Sequence, residues 1–204
     1  MKEIDSLFPV PIYKTSLDVD LKSIKKHISK IARQYQLNRN EILNVDTSHN
    51  VYDLINDDFF KPLLNDFLVH SKVFLKELGY DQTFLNQCFV ESSWFNISFK
   101  NDNLAKHIHP GSIVSGGFYV ETAPSDSVYF YREDDMILPP STPNPLSAKY
   151  TQYPCKEGQL LIFKSNLNHN TSVKKEGKKI VISFNIGKRT NWPNLFTVPF
   201  IYYI

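Results

Sequence analysis

Three histidines are spaced as metal ligands could be. His107 and His109 stand one residue apart in the run Lys106-His107-Ile108-His109-Pro110-Gly111-Ser112, and His169 follows some sixty residues later. In an extended segment side chains alternate between faces, so His107 and His109 point the same way. Neutral imidazole is the commonest metal ligand in proteins. A third imidazole from a neighbouring strand would complete one face of an ion and leave the opposite positions open for substrate or dioxygen. The same residues also have an ordinary reading, with the pair on a solvated strand edge and His169 capping a turn. Pro110-Gly111 can turn the chain sharply after the pair, and a polar Asn168-His169-Asn170-Thr171 segment follows a buried strand; both favour a metal cup. His27, His49 and His70 fall in helical or loop segments and are expected to be solvated or locally hydrogen-bonded.

The cup needs strands to carry it, and from Phe84 onward the sequence supplies them. Segments there are short, alternating or β-branched and are separated by turn residues, as in an antiparallel sandwich or barrel. Ser92 to Phe99 alternates, with Trp94, Asn96 and Ser98 on one face and Phe95, Ile97 and Phe99 on the other. Ala105 to His109 is the expected histidine strand. Val114–Val120, Ser127–Tyr131, Gly158–Phe163 and Lys178–Ile186 are further strands. Residues 132–152, rich in proline, form a long loop of the kind that is usually functional or disordered. Ahead of the strands, Leu7 to Lys14 reads as an edge strand that tolerates its prolines. Asp18 to Tyr35 and Ile55 to Leu78 read as helices. The second has an expected buried stripe of Phe59, Leu63, Phe67, Val73 and Phe74, a break near Lys61-Pro62, and Gly79 as its stop. Residues 37–52 read as a polar loop.

Composition narrows the class. The chain has 204 residues, a net charge of +2 and 42% hydrophobic residues. That is enough to bury a sizeable core and too little charge to point to nucleic acid or an anionic membrane. No apolar run approaches the length of a membrane span. The acidic start Met1-Lys2-Glu3-Ile4-Asp5 carries no signal-peptide pattern. Cys88 and Cys155 are not a CxxC pair and are expected to be two buried thiols in a reducing cytoplasm. There is no P-loop, no GxGxxG and no GxSxG elbow.

Taken together, several of these segments resemble a family of 2-oxoglutarate/Fe(II)-dependent oxygenases found in bacteria and their phages. The family's pattern is a Trp-x-Asn strand, His-x-His-Pro, then Ser-Gly-x-Tyr-Tyr. Here it corresponds to Trp94 and Asn96, His107 to Ser112, and Ser115-Gly116-Gly117-Phe118-Tyr119-Val120. A second block, Gly158 to Phe163, His169 and Lys179 to Asn185, is similar as well, and so is the opening Leu7 to Tyr13. The resemblance implies an α+β fold: a double-stranded β-helix, a cupin-like jelly roll, with N-terminal helices packed on the sheet. It implies Fe(II) held by His107, His109 and His169, 2-oxoglutarate as co-substrate, and dioxygen as the oxidant. In the wider superfamily the iron sits in a His-x-Asp/Glu…His triad, and the far carboxylate of the co-substrate meets a basic residue about ten positions after the distal histidine, often in an Arg-x-Ser pair.

The chain departs from that pattern at two positions. His109 stands where a carboxylate is usual, a substitution also seen in three-histidine dioxygenases that do not use 2-oxoglutarate. A shifted register, with His109 as first ligand and Gly111 at the carboxylate position, would leave an opening for a halide. The basic residue is Lys179 rather than arginine. A lysine pairs with a carboxylate as a point charge, without the bidentate fork. Val181 replaces the usual serine, while Ser183, on the same face as Lys179, could supply a hydroxyl. Lys174, Lys175 and Lys178 are expected to be solvated. Asn96, Ser98 and Tyr119 are further candidates for contacts to the dicarboxylate or to a metal-bound water. Arg132 and Glu133-Asp134-Asp135 belong to the loop, with a substrate contact as the alternative to solvent.

The expectation is therefore one oxygenase-like domain over 1–204, with an N-terminal strand and helices (1–83), a β-helix core (84–190) and a C-terminal tail (191–204) packing back on the body. Its reaction would hydroxylate a protein side chain or a small molecule. The rival readings are a three-histidine dioxygenase or halogenase on the same fold, and a non-enzymatic structural or binding module such as a phage-particle protein. A cytoplasmic location, or a virion-associated one if phage-encoded, goes with this reading, with no nucleic acid or membrane partner. A homo-oligomer is compatible with it.

Overall fold

The computed structural model describes residue 4 and residues 9–37, 39–40, 44–133 and 140–189. The expected tail over 191–204, Leu7-Phe8 of the opening strand, and Asp134 and Asp135 lie outside these residues. Three α-helices and ten strands are described: β1 (Tyr13–Ser16), α1 (Leu21–Gln34), β2 (Arg39–Asn40), β3 (Val45–Thr47), α2 (Lys61–Glu77), α3 (Gln82–Gln87), β4 (Cys88–Ser98), β5 (Val114–Glu121), β6 (Ser127–Tyr131), β7 (Tyr150–Pro154), β8 (Gln159–Lys164), β9 (His169–Thr171) and β10 (Lys179–Lys188).

The strands form two antiparallel sheets. The larger has the order β1-β8-β5-β10-β4-β3-β2, the smaller β7-β6-β9. Alternation along β10 explains how they divide the molecule. Ile180, Ile182, Phe184 and Ile186 face the helices and are wholly buried. There they join Ile24, Ile28 and Ile31 of α1 and Leu63, Phe67 and Phe74 of α2 in one core. Phe67 stacks on Phe184 with ring centroids 4.4 Å apart. Gly116, opposite Phe184 in the register, is what admits that ring: a Cβ there would lie 2.4 Å from it. The alternate residues Lys179, Val181 and Ser183 face the smaller sheet, as do Trp94, Asn96 and Ser98 of β4. Helices thus cover one face of the large sheet, and a cavity opens on the other. This is the expected α+β double-stranded β-helix with helices packed on its sheet.

The helices begin and end where local chemistry dictates. The Asp20 carboxylate accepts from the Ser23 amide at 3.0 Å and caps α1. Pro62 sits in the first turn of α2, where its missing N–H costs nothing, and 3₁₀ turns at 54–56 and 58–60 precede it. Gly79 ends α2 in the left-handed region at φ 91°.

Several expectations are corrected. The polar 37–52 segment contains β2 and β3, and β3 joins the large sheet through Asp46↔Ile97 and Thr47↔Asn96. These strands of two and three residues are too short to leave a period in the sequence. Residues 105–109 form no ladder; His107 makes a single bridge to His169. The end of the proline-rich loop, Tyr150 to Gln152, belongs to β7. Phe59 and Val73 are exposed, and Leu64, Ser71 and Leu75 occupy the buried side of α2 instead. Lys174 is fully buried against Asp126 rather than solvated. Lys175 is exposed, and Lys178 pairs with Glu121 at 3.5 Å. Cys88 and Cys155 are buried free thiols.

Candidate metal centre

The three imidazoles meet between the sheets. One ring nitrogen of each of His107, His109 and His169 lies within 4.8 Å of the other two, and all three residues are buried. Ring centroids are 4.2 Å apart for His107 and His169, 5.1 Å for His107 and His109, and 5.2 Å for His109 and His169. Backbone bonds set this convergence. The His107 amide donates to the His169 carbonyl at 2.9 Å, the reverse bond measures 3.1 Å, and the His109 amide donates to the Ser165 carbonyl at 2.8 Å.

The Nδ1 atom of every ring is committed. His107 Nδ1 bonds the Ala105 carbonyl at 2.7 Å, His169 Nδ1 the Leu167 carbonyl at 2.8 Å, and His109 Nδ1 the Asn185 Oδ1 at 2.8 Å. Each partner can only accept, so each Nδ1 carries the proton and each Nε2 keeps its lone pair. Asn185 is held in that orientation: Ser115 Oγ donates to the same Oδ1 at 2.7 Å, and its Nδ2 donates to Ser92 Oγ at 3.2 Å. Such outer bonds fix tautomer and ring direction in metal sites. Burial pushes all three imidazoles below the usual histidine range. It is the largest cause for each, and it takes His109 to about 3, with the neighbouring His107 adding to it. At neutral pH the site presents three uncharged donors to a cation.

The same cavity contains Lys179, Asn96, Ser98, Tyr119 and Ser183. Lys179 is 2% exposed and its Nζ has no hydrogen-bond partner. Burial lowers its pKa first; the Cys155 thiol and Asp126 pull it back up, Lys174 pushes it down, and Asp102 raises it. An unpaired buried ammonium is costly unless a ligand supplies the counter-charge. Ser98 is its cross-strand partner. Ser183, four residues along β10 and so about 13 Å away at strand rise, faces Trp94 and Gly117 instead. Asn96 Oδ1 is buried and unpartnered. Arg132 is not among the residues that line the cavity, and its Nη1 donates to the Leu146 carbonyl at 2.7 Å.

Sequence reasoning missed one wall. Val45 and His49, from the segment read as loop, line the cavity. The His49 ring meets Trp94 edge-on at 4.9 Å, and Trp94 in turn stacks on His109 at 5.7 Å. The alternation that places Trp94 in the cavity could not reveal which distant residue would cover it. His27 bonds Asp57 at 2.7 Å and His70 bonds Tyr13 at 2.8 Å, the local roles expected of them.

The comparisons with known proteins fit this architecture. Residues 92–185 match the family described as "Putative 2OG-Fe(II) oxygenase". That stretch takes in all three imidazoles and Lys179. The fold is similar to a prolyl-4-hydroxylase from Pseudomonas putida, at 12% identity over 89% of this chain and 94% of that one, with a TM-score of 0.58. It is also similar to HygX from Streptomyces hygroscopicus with nickel and 2-oxoglutarate bound, at 11% identity over 88% and 83%, with a TM-score of 0.54. A viral collagen prolyl hydroxylase from Paramecium Bursaria Chlorella virus-1, as a 2-oxoglutarate complex, matches at 13% identity over 86% and 94%, also with a TM-score of 0.54. No curated protein sequence matches the chain. The family match spans just under half of the chain, and the fold is the one these solved oxygenase structures share. Segment 92–185 is similar to the family that the motifs of the chain resemble.

Proposed function

We propose that His107, His109 and His169 hold Fe(II) through Nε2, and that Lys179 receives the far carboxylate of 2-oxoglutarate, in an enzyme that hydroxylates a C–H bond of a protein side chain or small molecule. One observation carries this reading: an unpaired, buried ammonium shares a cavity with three clustered imidazoles whose Nδ1 atoms are all committed to other partners. Bound iron and 2-oxoglutarate supply oxidation by dioxygen, with carbon dioxide lost, one oxygen atom entering succinate and the other entering the substrate as hydroxyl.

The chain's own residues divide the remaining work. Lys179 and its cross-strand neighbour Ser98 fix one end of the dicarboxylate. Tyr119, buried on the adjoining strand with its phenol held well above the ordinary range by burial, stays a neutral hydrogen-bonding group. Asn185 and the Ala105 and Leu167 carbonyls hold the imidazoles. The Phe163 ring lies edge-on against His169 at 4.6 Å and gives that side of the site an apolar wall. His109 in place of a carboxylate leaves the metal with its full double charge, which favours an anionic 2-oxo acid as co-ligand.

The test is anaerobic reconstitution with Fe(II) followed by titration of 2-oxoglutarate. The expected results are one iron per chain, a weak visible charge-transfer band, and succinate release on admitting oxygen. A His107→Ala variant loses iron and band together. Retention of iron in that variant, or no band in the parent protein at saturating 2-oxoglutarate, overturns the assignment.

A further inference from the structure

Once Lys179 has its carboxylate, Asn96 and His49 still line the cavity without a hydrogen-bond partner for the Asn96 Oδ1 or the His49 ring among the described residues. Asn96 is 6% exposed, and its Oδ1 bonds nothing. The half-buried ring of His49 has no hydrogen-bond partner among the described residues, yet the chain at Ser48 and His49 is held by three hydrogen bonds. Ser48 N donates to the Phe95 carbonyl at 3.0 Å, the Phe95 amide donates to Ser48 Oγ at 3.0 Å, and the His49 amide donates to Thr47 Oγ1 at 3.1 Å. Thr47 is paired with Asn96 across β3 and β4. The turn after β3 therefore sets His49 two residues past the Thr47–Asn96 pairing and against the Trp94 ring. Burial keeps the His49 imidazole below the usual histidine range, with Asp53 opposing. A neutral ring offers one donor and one acceptor.

Charge limits what this wall can receive. Lys179 is the one charged side chain among the described residues that line the cavity. A cationic substrate group would meet no counter-ion in a largely apolar cup, and an anionic one would meet only a metal already partly neutralised by the co-substrate, so either would be desolvated without full compensation. A neutral group with a donor and an acceptor would meet His49 and the Asn96 Oδ1, whose burial without a partner is itself unfavourable.

We propose that the substrate group presented to the metal is uncharged and hydrogen-bonding, of the amide or hydroxyl class, and that His49 and Asn96 select it. This rests on the assignment of Lys179 to 2-oxoglutarate. The experiment therefore starts from protein loaded anaerobically with Fe(II) and 2-oxoglutarate, its charge-transfer band showing that the co-substrate is in place. Three isosteric probes are then titrated, benzamide, benzoate and benzamidinium, and binding is read from perturbation of the band and from saturation-transfer NMR. Benzamide is expected to bind at least tenfold more tightly than either charged probe. The preference falls below threefold in His49→Phe, which keeps a ring against Trp94, and is retained in His49→Gln, which keeps a donor and an acceptor. Asn96→Leu provides an independent second loss. A charged probe that binds as tightly as benzamide, no binding of any of the three, or a preference that survives both His49→Phe and Asn96→Leu overturns the proposal. A band missing from the parent protein removes the co-substrate assignment and this proposal together; a band present without the preference removes this proposal alone.

Discussion

Lys174 and Lys179 come from one basic run, five positions apart, and both are buried to within 2% of complete. Their surroundings differ in one respect. Lys174 Nζ lies 2.6 Å from Asp126 Oδ2 in a pair with no exposure on either side, and the backbone around it is tied to Asp102 and Asn101. Lys179 Nζ has no partner and looks into the cavity of the imidazoles. The first charge is neutralised within the fold and belongs to its stability. The second has no hydrogen-bond partner within the described residues, and it is the charge we propose for the co-substrate. The contrast separates a buried charge that is paired within the fold from one that is not, without reference to residue type.

The largest test of that contrast is on stability. Lys174→Met removes half of a buried pair and leaves Asp126 charged without its partner. The expected loss is about 3–5 kcal/mol, read as a fall in the urea midpoint. Lys179→Met removes a charge that has no partner in the ligand-free protein, so its midpoint should stay level or rise. Equal losses in the two variants would erase the distinction.

On ligand binding the order reverses. A charge-assisted bond to a carboxylate is worth about 1.5–3 kcal/mol, so Lys179→Met should weaken 2-oxoglutarate binding by roughly 10- to 150-fold. In Lys174→Met, at temperatures where it is folded, the change should be under threefold. Isothermal titration of the Fe(II) protein reads both. A smaller effect is expected at the metal end, where Asn185→Ala removes the acceptor that holds the His109 ring. Loss of such an outer partner typically costs about 10- to 100-fold in metal affinity. An unchanged iron affinity would mean that the backbone alone sets the His109 ring.

The contrast also marks how far the sequence could be read. The fold was legible because β4 and β10 alternate cleanly. Trp94, Asn96 and Ser98, and Lys179, Val181 and Ser183, take the cavity side as their period requires. The convergence of the three histidines followed from a spacing of two residues plus one distant strand end. What lay beyond reach depended on pairings without a local signature. Lys174 and Lys179 sit in the same basic run, and only the long-range approach of Asp126, 48 residues away, separates them. His49 sits in a polar segment whose three-residue strand acquires its role by pairing with β4. The histidine segment itself reaches its site through a single bridge rather than the ladder its pattern suggested.

The finest test of the two lysines is pH. In the ligand-free protein burial lowers the pKa of Lys179 from 10.5, so the unfolded chain holds more protons than the folded one between the lowered value and 10.5. Stability of the ligand-free protein therefore rises with pH through that window. Binding of 2-oxoglutarate has the opposite sign. The carboxylate pairs with the ammonium form, so affinity is full below the lowered value and falls above it by at most about tenfold per pH unit, since one proton is involved. Lys179→Arg keeps its charge throughout, and its binding curve should stay flat where that of the parent declines. Lys179→Met should be weak and flat. Affinities measured from neutral to alkaline pH on all three proteins decide the point. A decline that persists in Lys179→Arg would place the titrating group elsewhere and return Lys179 to the same standing as Lys174.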